Sequence, residues 1–396
     1  FPLIRVDDTQ DGLAGLGHAL WREATDEGLH TIDVTGSNGK TTTKELLAAL
    51  WETVGAVFAT PGNLNNAIGL PLTLCGLPVD CQHLIVELGA NAVGEIAELI
   101  RMAPGDERII TSIGRAHTEG FGSIDGIRRA KSEIFERSDE ATTAIVPTAE
   151  VERLKLGSFA GSILRVGEEP ESDIELVDYA PAVDQRGIFR ATYAIGEERV
   201  RLPLGLPGRH NGLNLGTALA TLVARGISIE ADRLAEPLRR IELPAGRWRR
   251  TRWRSLEIID DAYNANPSSM TASFRAFMAE QPRQLAGDGS PTRRIAVIGE
   301  MHELGEKAQV WHCDVARRIA RDPRLDALCV VGEFADQMAD AVRRDDGAEV
   351  ELEAHTDIDG IVAWLIDQQP GFVWMKASRA TALERITERL REQTDD

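Results

Sequence analysis

The stretch Thr35-Gly36-Ser37-Asn38-Gly39-Lys40-Thr41-Thr42-Thr43 constrains this 396-residue chain more than any other. It follows the apolar-tipped run Leu29–Val34 and precedes a helical pattern over Lys44–Trp51. A short strand, a glycine turn, Lys-Thr and a helix present a cradle of backbone N–H groups and a helix N-terminus to phosphates. Gly36, Ser37, Asn38 and Gly39 form the expected turn. Lys40 supplies a point charge for the outer phosphates of ATP, and Thr41, followed by Thr42, a hydroxyl for magnesium. Val34 occupies the first Gly position of G-x-x-x-x-G-K-[ST], so this form is narrower than the general phosphate loop. The plain alternative is a strand–turn–helix with an exposed lysine.

From Leu29 to Val146, apolar strands alternate with amphipathic helices, the pattern of a parallel sheet covered on both faces. His83–Val86 leads to Glu87-Leu88-Gly89, and Arg108–Ile113 to Gly114-Arg115-Ala116-His117. Open α/β sheets place ligands just beyond such carboxyl ends. Between Ser162 and Leu206 the runs become alternating or β-rich, which predicts a small antiparallel addition. A second strand–helix series starts near Arg249, with strands over Leu256–Ile259, Ile295–Ile298, Leu328–Val331 and Phe372–Met375. The expected division is a connector over 1–24, a central nucleotide-binding domain over 25–246 and a Rossmann-like α/β domain over 247–396.

The net charge of −19 argues against sequence-independent nucleic-acid binding. No apolar run reaches membrane-spanning length, and the N-terminus shows no secretory signal. Four cysteines without C-x-x-C spacing read as reduced thiols of a cytoplasmic protein and argue against a zinc site. Only six lysines stand among 44 basic residues, and three of the six fall inside candidate chemical motifs.

Lys131 lies on the apolar stripe Ile127, Lys131, Ile134, Phe135 of a helix expected over Ser123–Glu136. Two readings fit: the stem snorkels to water, or burial lowers the pKa and leaves a neutral amine able to form a carbamate with carbon dioxide. Glu87 and His117 each follow an apolar strand and could hold magnesium or manganese beside a nucleotide. Asp261-Ala262-Tyr263-Asn264 could take a ribose through Asp261 and a base against Tyr263, or be an Asx-rich turn. Lys376-Ala377-Ser378-Arg379 could receive a phosphate or carboxylate.

Ordered motifs run T-G-S-N-G-K-T-T-T-K-E from Thr35, G-N-L-N-N-A-I-G-L-P-L-T-L from Gly62, V-E-L-G-A-N from Val86, A-H-T-E-G-F-G-S from Ala116, A-K-S-E-I-F from Ala130, L-P-G-R-H-N from Leu206, D-D-A-Y-N-A-N-P-S-S-M from Asp260, G-E-M-H-E-L-G from Gly299 and K-A-S-R from Lys376. Together they resemble the Mur ligases over nearly the whole chain. The resemblance implies an ATP-dependent amide ligase that activates a carboxylate as an acyl phosphate. The small-molecule substrates it implies are a UDP-muramoyl-tripeptide and D-Ala-D-Ala; a non-murein carboxylate and amine are the alternative. It implies two magnesium ions, or manganese, one held by Thr41 and Glu87, the other by His117 and a carbamate on Lys131. Asn211 and Asn214 would approach adenine, Asp261 the ribose, Arg247 the phosphates, and Asn65 and Asn66 the acceptor. A cytoplasmic monomer, whose two domains close around ATP, is expected. K-A-S-R and Glu300 depart mildly from the family's K-G-S-R and G-D-M. Val6-Asp7-Asp8-Thr9 resembles the connector after the family's N-terminal uridine-binding domain, which this chain does not include.

Overall fold

A computed structural model describes residues 5–114, 118–183, 185, 187–281 and 292–393. The chain divides into two compact units, one over residues 5–114 and 120–242, the other over residues 243–393 together with the short piece 118–119.

The first unit is built on nine strands: β1 His30–Thr35, β2 Val57–Ala59, β3 His83–Glu87, β4 Glu107–Ile110, β5 Thr143–Pro147, β6 Ser162–Gly167, β7 Ile174–Pro181, β8 Phe189–Ile195 and β9 Glu198–Leu204. Their order is β2-β3-β1-β4-β5-β6-β7-β8-β9. Pairs up to β6–β7 are parallel, and β7–β8 and β8–β9 are antiparallel. The expected antiparallel addition therefore continues the main sheet at its edge. β1 is buried along its whole length, as a central strand covered on both faces must be. On one face Ile96, Leu99, Ile100, Ile127, Ala130 and Ile134 share a core with Leu84 and Val86. On the other, the helix Lys40–Trp51 meets the helix Arg209–Ala224.

Four polar side chains of β1, His30, Thr31, Asp33 and Thr35, are buried, and Asp33 is the one carboxylate among them. Asp33 is fully buried and accepts the Gly105 N–H at 2.6 Å, while its Oδ1 has no partner among the described residues. Burial raises its pKa to about 7, against the lowering influence of Arg108.

The segment expected as a connector is an 18-residue helix, Thr9–Asp26, started by Asp8, whose side chain accepts from the N–H groups of Gln10 and Asp11. Its Trp21 is buried and donates to the Thr31 hydroxyl at 3.2 Å. That anchor on β1 makes the helix part of the first unit.

The second unit has six strands, β10 Arg249–Trp253, β11 Leu256–Asp260, β12 Arg293–Ile298, β13 Ala327–Val331, β14 Glu351–His355 and β15 Gly371–Lys376, ordered β10-β11-β15-β12-β13-β14. Only β10 is antiparallel. Helices Pro267–Ala279, Ala308–Ala320 and Ala335–Arg343 contribute to one core cluster. Helices Ile358–Asp367 and Glu384–Glu392 contribute to another. The loops after β11 and β12 thus lead to one face and the loop after β15 to the other, the strand arrangement at whose carboxyl ends open α/β sheets place ligands.

Candidate active site

The phosphate loop has the strand–turn–helix context its sequence requires. β1 ends at Thr35, and the helix begins at Lys40, one turn earlier than the apolar pattern alone indicates. Gly39 at the helix N-cap has φ +86°, in the left-handed region that favours glycine, and a Cβ there would lie 2.5 Å from Asn214 Oδ1. A Cβ on Gly36 would lie 2.0 Å from the Thr111 hydroxyl. Lys40 donates to the Gly36 carbonyl at 2.8 Å, folding across the turn. Thr41 and Thr42 are buried in the first helical turn.

The strand predicted over Arg108–Ile113 leaves the ladder at Ile110. The next residues instead brace the phosphate loop. Thr111 donates to the Asn38 carbonyl at 2.6 Å, Ser112 Oγ accepts the Asn38 N–H at 3.0 Å, and the Gly114 N–H donates to Ser37 Oγ at 2.9 Å. Side-chain hydroxyls thus satisfy turn groups that no ladder reaches. The pair Thr111-Ser112 at a strand end was the available sequence signal for this brace.

Glu87 ends β3 beside β1, in register with Val34. Its side chain is 3% exposed. Oε1 accepts from Asn65 Nδ2 at 2.9 Å, whereas Oε2 is buried with no hydrogen-bond partner among the described residues. Asn65, expected near the acceptor substrate, orients this carboxylate, and its carbonyl accepts the Gly89 N–H at 2.8 Å. Asn66 Oδ1 accepts from the N–H groups of Ile68 and Gly69 at the start of the helix Gly69–Cys75.

Lys131 sits on the helix Ile124–Ser132, which continues as a 3-10 turn over Glu133–Phe135. It is 2% exposed, so the snorkelling reading fails: the ammonium does not reach water. Its Nζ lies 5.5 Å from the centre of the Phe121 ring. Burial, and then the charge of Lys40, lower its pKa to about 7. Glu133, two residues on, accepts the N–H groups of Gly94 (2.7 Å) and Ala97 (3.2 Å), tying the Lys131 segment to the loop after Glu87. His117 lies outside the described residues.

Asn211 and Asn214 are buried and joined to one another at 3.1 Å, and Asn211 also donates to the Pro207 carbonyl. With Asn214 Oδ1 against Gly39, this pair supports the loop itself.

In the second unit Lys376 is buried at the end of β15, and its three hydrogen bonds go to Asp261 Oδ2 (2.8 Å), the Asp261 carbonyl (3.1 Å) and the Asn264 carbonyl (3.0 Å). Asp261 Oδ2 also accepts from Ser273 at 2.6 Å. Lys376 and Asp261 thus hold the Asp261–Asn264 turn in shape. Ser378 Oγ accepts the His302 N–H at 2.9 Å, and Arg379 is ion-paired with Glu384. Glu300 accepts the Glu333 N–H through Oε1 and lies 3.2 Å from His302. The Arg247 guanidinium stacks 4.1 Å over the Tyr263 ring, so one face of that ring is covered by a cation.

Among the described residues no group of three or more His, Cys, Asp or Glu could by itself hold a metal. A divalent ion here would draw on hydroxyl and phosphate oxygens as well. The residues present do fit such an ion with ATP: a buried carboxylate oxygen without a donor, and a turn whose backbone no Cβ obstructs. Among the described residues no helix is long and apolar enough to cross a membrane.

Residues 34–222 match the Mur ligase middle domain, and residues 246–379 the Mur ligase glutamate ligase domain. The chain is 30% identical over 364 residues to the UDP-N-acetylmuramoyl-tripeptide–D-alanyl-D-alanine ligase of Escherichia coli, covering 91% of this chain and 76% of that relative. MurF from Acinetobacter baumannii superposes with a TM-score of 0.85 at 29% identity, over 99% of this chain and 84% of that one. MurF from Thermotoga maritima in complex with ADP gives 0.83 at 27% identity, over 99% and 86%. The family expected from the ordered motifs is thereby established: the chain belongs to the Mur ligases.

Proposed function

We propose that this protein is an ATP-dependent ligase that joins D-alanyl-D-alanine to a UDP-N-acetylmuramoyl-tripeptide in peptidoglycan precursor synthesis. The observation that carries the reading is the phosphate loop Gly36–Lys40 beside the donor-free Glu87 Oε2 and the buried Lys131, in a chain alike throughout its length to such ligases. The reading places the work in the cytoplasm, by a monomer.

The chemistry balances in two steps. A tripeptide carboxylate oxygen attacks the γ-phosphorus of ATP and ADP leaves, giving an acyl phosphate. The amine of D-Ala-D-Ala then adds to the acyl carbon, loses a proton, and phosphate departs. Magnesium would neutralise phosphate charge and fix the line of attack. Glu87 Oε2 and the Thr41 hydroxyl are the groups that would hold one ion. Lys40 lies at the head of the same helix, where its charge and the first N–H groups meet the phosphates. Lys131, with its pKa near 7, exposes a lone pair at working pH. That nitrogen can add to carbon dioxide and release a proton. The resulting carbamate would join His117 at a second ion.

The test is phosphate release by the purified chain. Release that needs ATP, the UDP-muramoyl-tripeptide and D-Ala-D-Ala together supports the reading. Turnover with another carboxylate and amine, and none with this pair, rejects the substrate assignment.

A further inference from the structure

We propose that Lys44 and Thr60 are positioning residues that set Glu87 as a one-oxygen ligand for the divalent cation; the inference rests on the magnesium–ATP reading above. Lys44 stands one turn beyond Lys40 on the phosphate-loop helix, yet it points inward and is 2% exposed. A buried ammonium needs partners to offset its lost hydration. It finds the Thr60 carbonyl at 2.8 Å and the Glu45 carboxylate at 2.9 Å. Thr60, just past β2 and 1% exposed, donates its N–H to the Ile85 carbonyl at 2.9 Å, and its hydroxyl accepts the Glu87 N–H at 2.9 Å.

The β2–β3 ladder is thus prolonged by one side chain to the residue that carries the carboxylate. Asn65 holds Glu87 from the other end, through Oε1. Clamped at its backbone and at one oxygen, Glu87 keeps one carboxylate oxygen, the buried Oε2, with no hydrogen-bond partner among the described residues. Lys40 and Lys44 share one rigid helix, so the phosphate grip and the cation ligand keep a fixed spacing. Partners behind a ligand tune cation affinity although they never touch the ion.

Mn2+ binding to the full chain, read by electron paramagnetic resonance with ADP present, tests this. Thr60→Val should weaken Mn2+ binding about tenfold, Lys44→Met should act in the same direction, and Thr60→Ser should restore affinity to within about twofold of the parent. ADP affinity in EDTA should not change in any of them, which separates a cation effect from general damage. If Lys44→Met does not fold, the two Thr60 variants decide. Folded Thr60→Val that binds Mn2+ as the parent does overturns the positioning role alone. A parent chain that binds no Mn2+ with ADP overturns the magnesium–ATP reading and this inference with it.

Discussion

Two buried side chains carry opposite pH signatures. Asp33 is stabilised in its protonated form, with a folded pKa of about 7 against roughly 3.9 when unfolded. Its contribution to stability is fully present below about pH 4 and is lost as the pH rises through about 7, on the order of 4 kcal/mol at most. Asp33→Asn, which imitates the protonated acid, should flatten the slope of unfolding free energy over that window in urea melts. An unchanged slope would show that Asp33 stays ionised. Lys131 has a pKa lowered to about 7, and on the proposed function it bears on the chemistry. Only its neutral amine reacts with carbon dioxide, so activity should rise as the pH increases through about 7, and more so in bicarbonate than in CO2-free buffer. Lys131→Ala should lose activity and partly regain it with added short-chain carboxylates; full activity in that variant removes the carbamate. The sequence placed Lys131 on an apolar stripe but could not tell burial from snorkelling, because periodicity fixes a direction and not a depth. Asp33 gave no signal, since a polar residue among the mixed polar and apolar residues His30–Thr35 reads as a strand's solvent face.

Elements were legible where period and punctuation agreed. The central parallel strands and both strand–helix series follow from apolar runs ending in polar turns. The end of β4 was not legible: the sequence pattern continues to Ile113, but past Ile110 the hydroxyls of Thr111 and Ser112 donate to the Asn38 carbonyl and the Ser112 carbonyl accepts the Ser37 N–H, so the segment follows the phosphate loop and not a regular ladder. The hydrogen-bond partners of Asn65, Lys376 and Ser378 were not legible for a related reason. Each was recognised as a motif residue, yet its hydrogen bonds go to segments distant in sequence, which spacing does not reveal. The phosphate loop itself yields a sharp expectation. Gly39→Ala would force a left-handed residue, costing about 1–2 kcal/mol, and press a methyl group 2.5 Å from Asn214 Oδ1. Calorimetry should show a lower melting temperature, and ADP titration a loss of affinity beyond tenfold. Retained affinity would mean that the turn tolerates another shape.

The whole molecule carries a net charge of −19. Self-repulsion of that size destabilises the compact state and is screened by salt. Raising NaCl from about 10 mM to about 300 mM should therefore raise the melting temperature by a few degrees. A fall would show that the many Arg–carboxylate pairs outweigh the net repulsion. The nine-stranded sheet has a further consequence at its margins. One border strand, β2, has only three residues. The other, β9, points Arg199 and Arg201 to water and includes Pro203, which lacks an N–H. Neither margin offers a long apolar template on which a stray strand could dock, so fibril growth by edge addition is blocked until this unit opens.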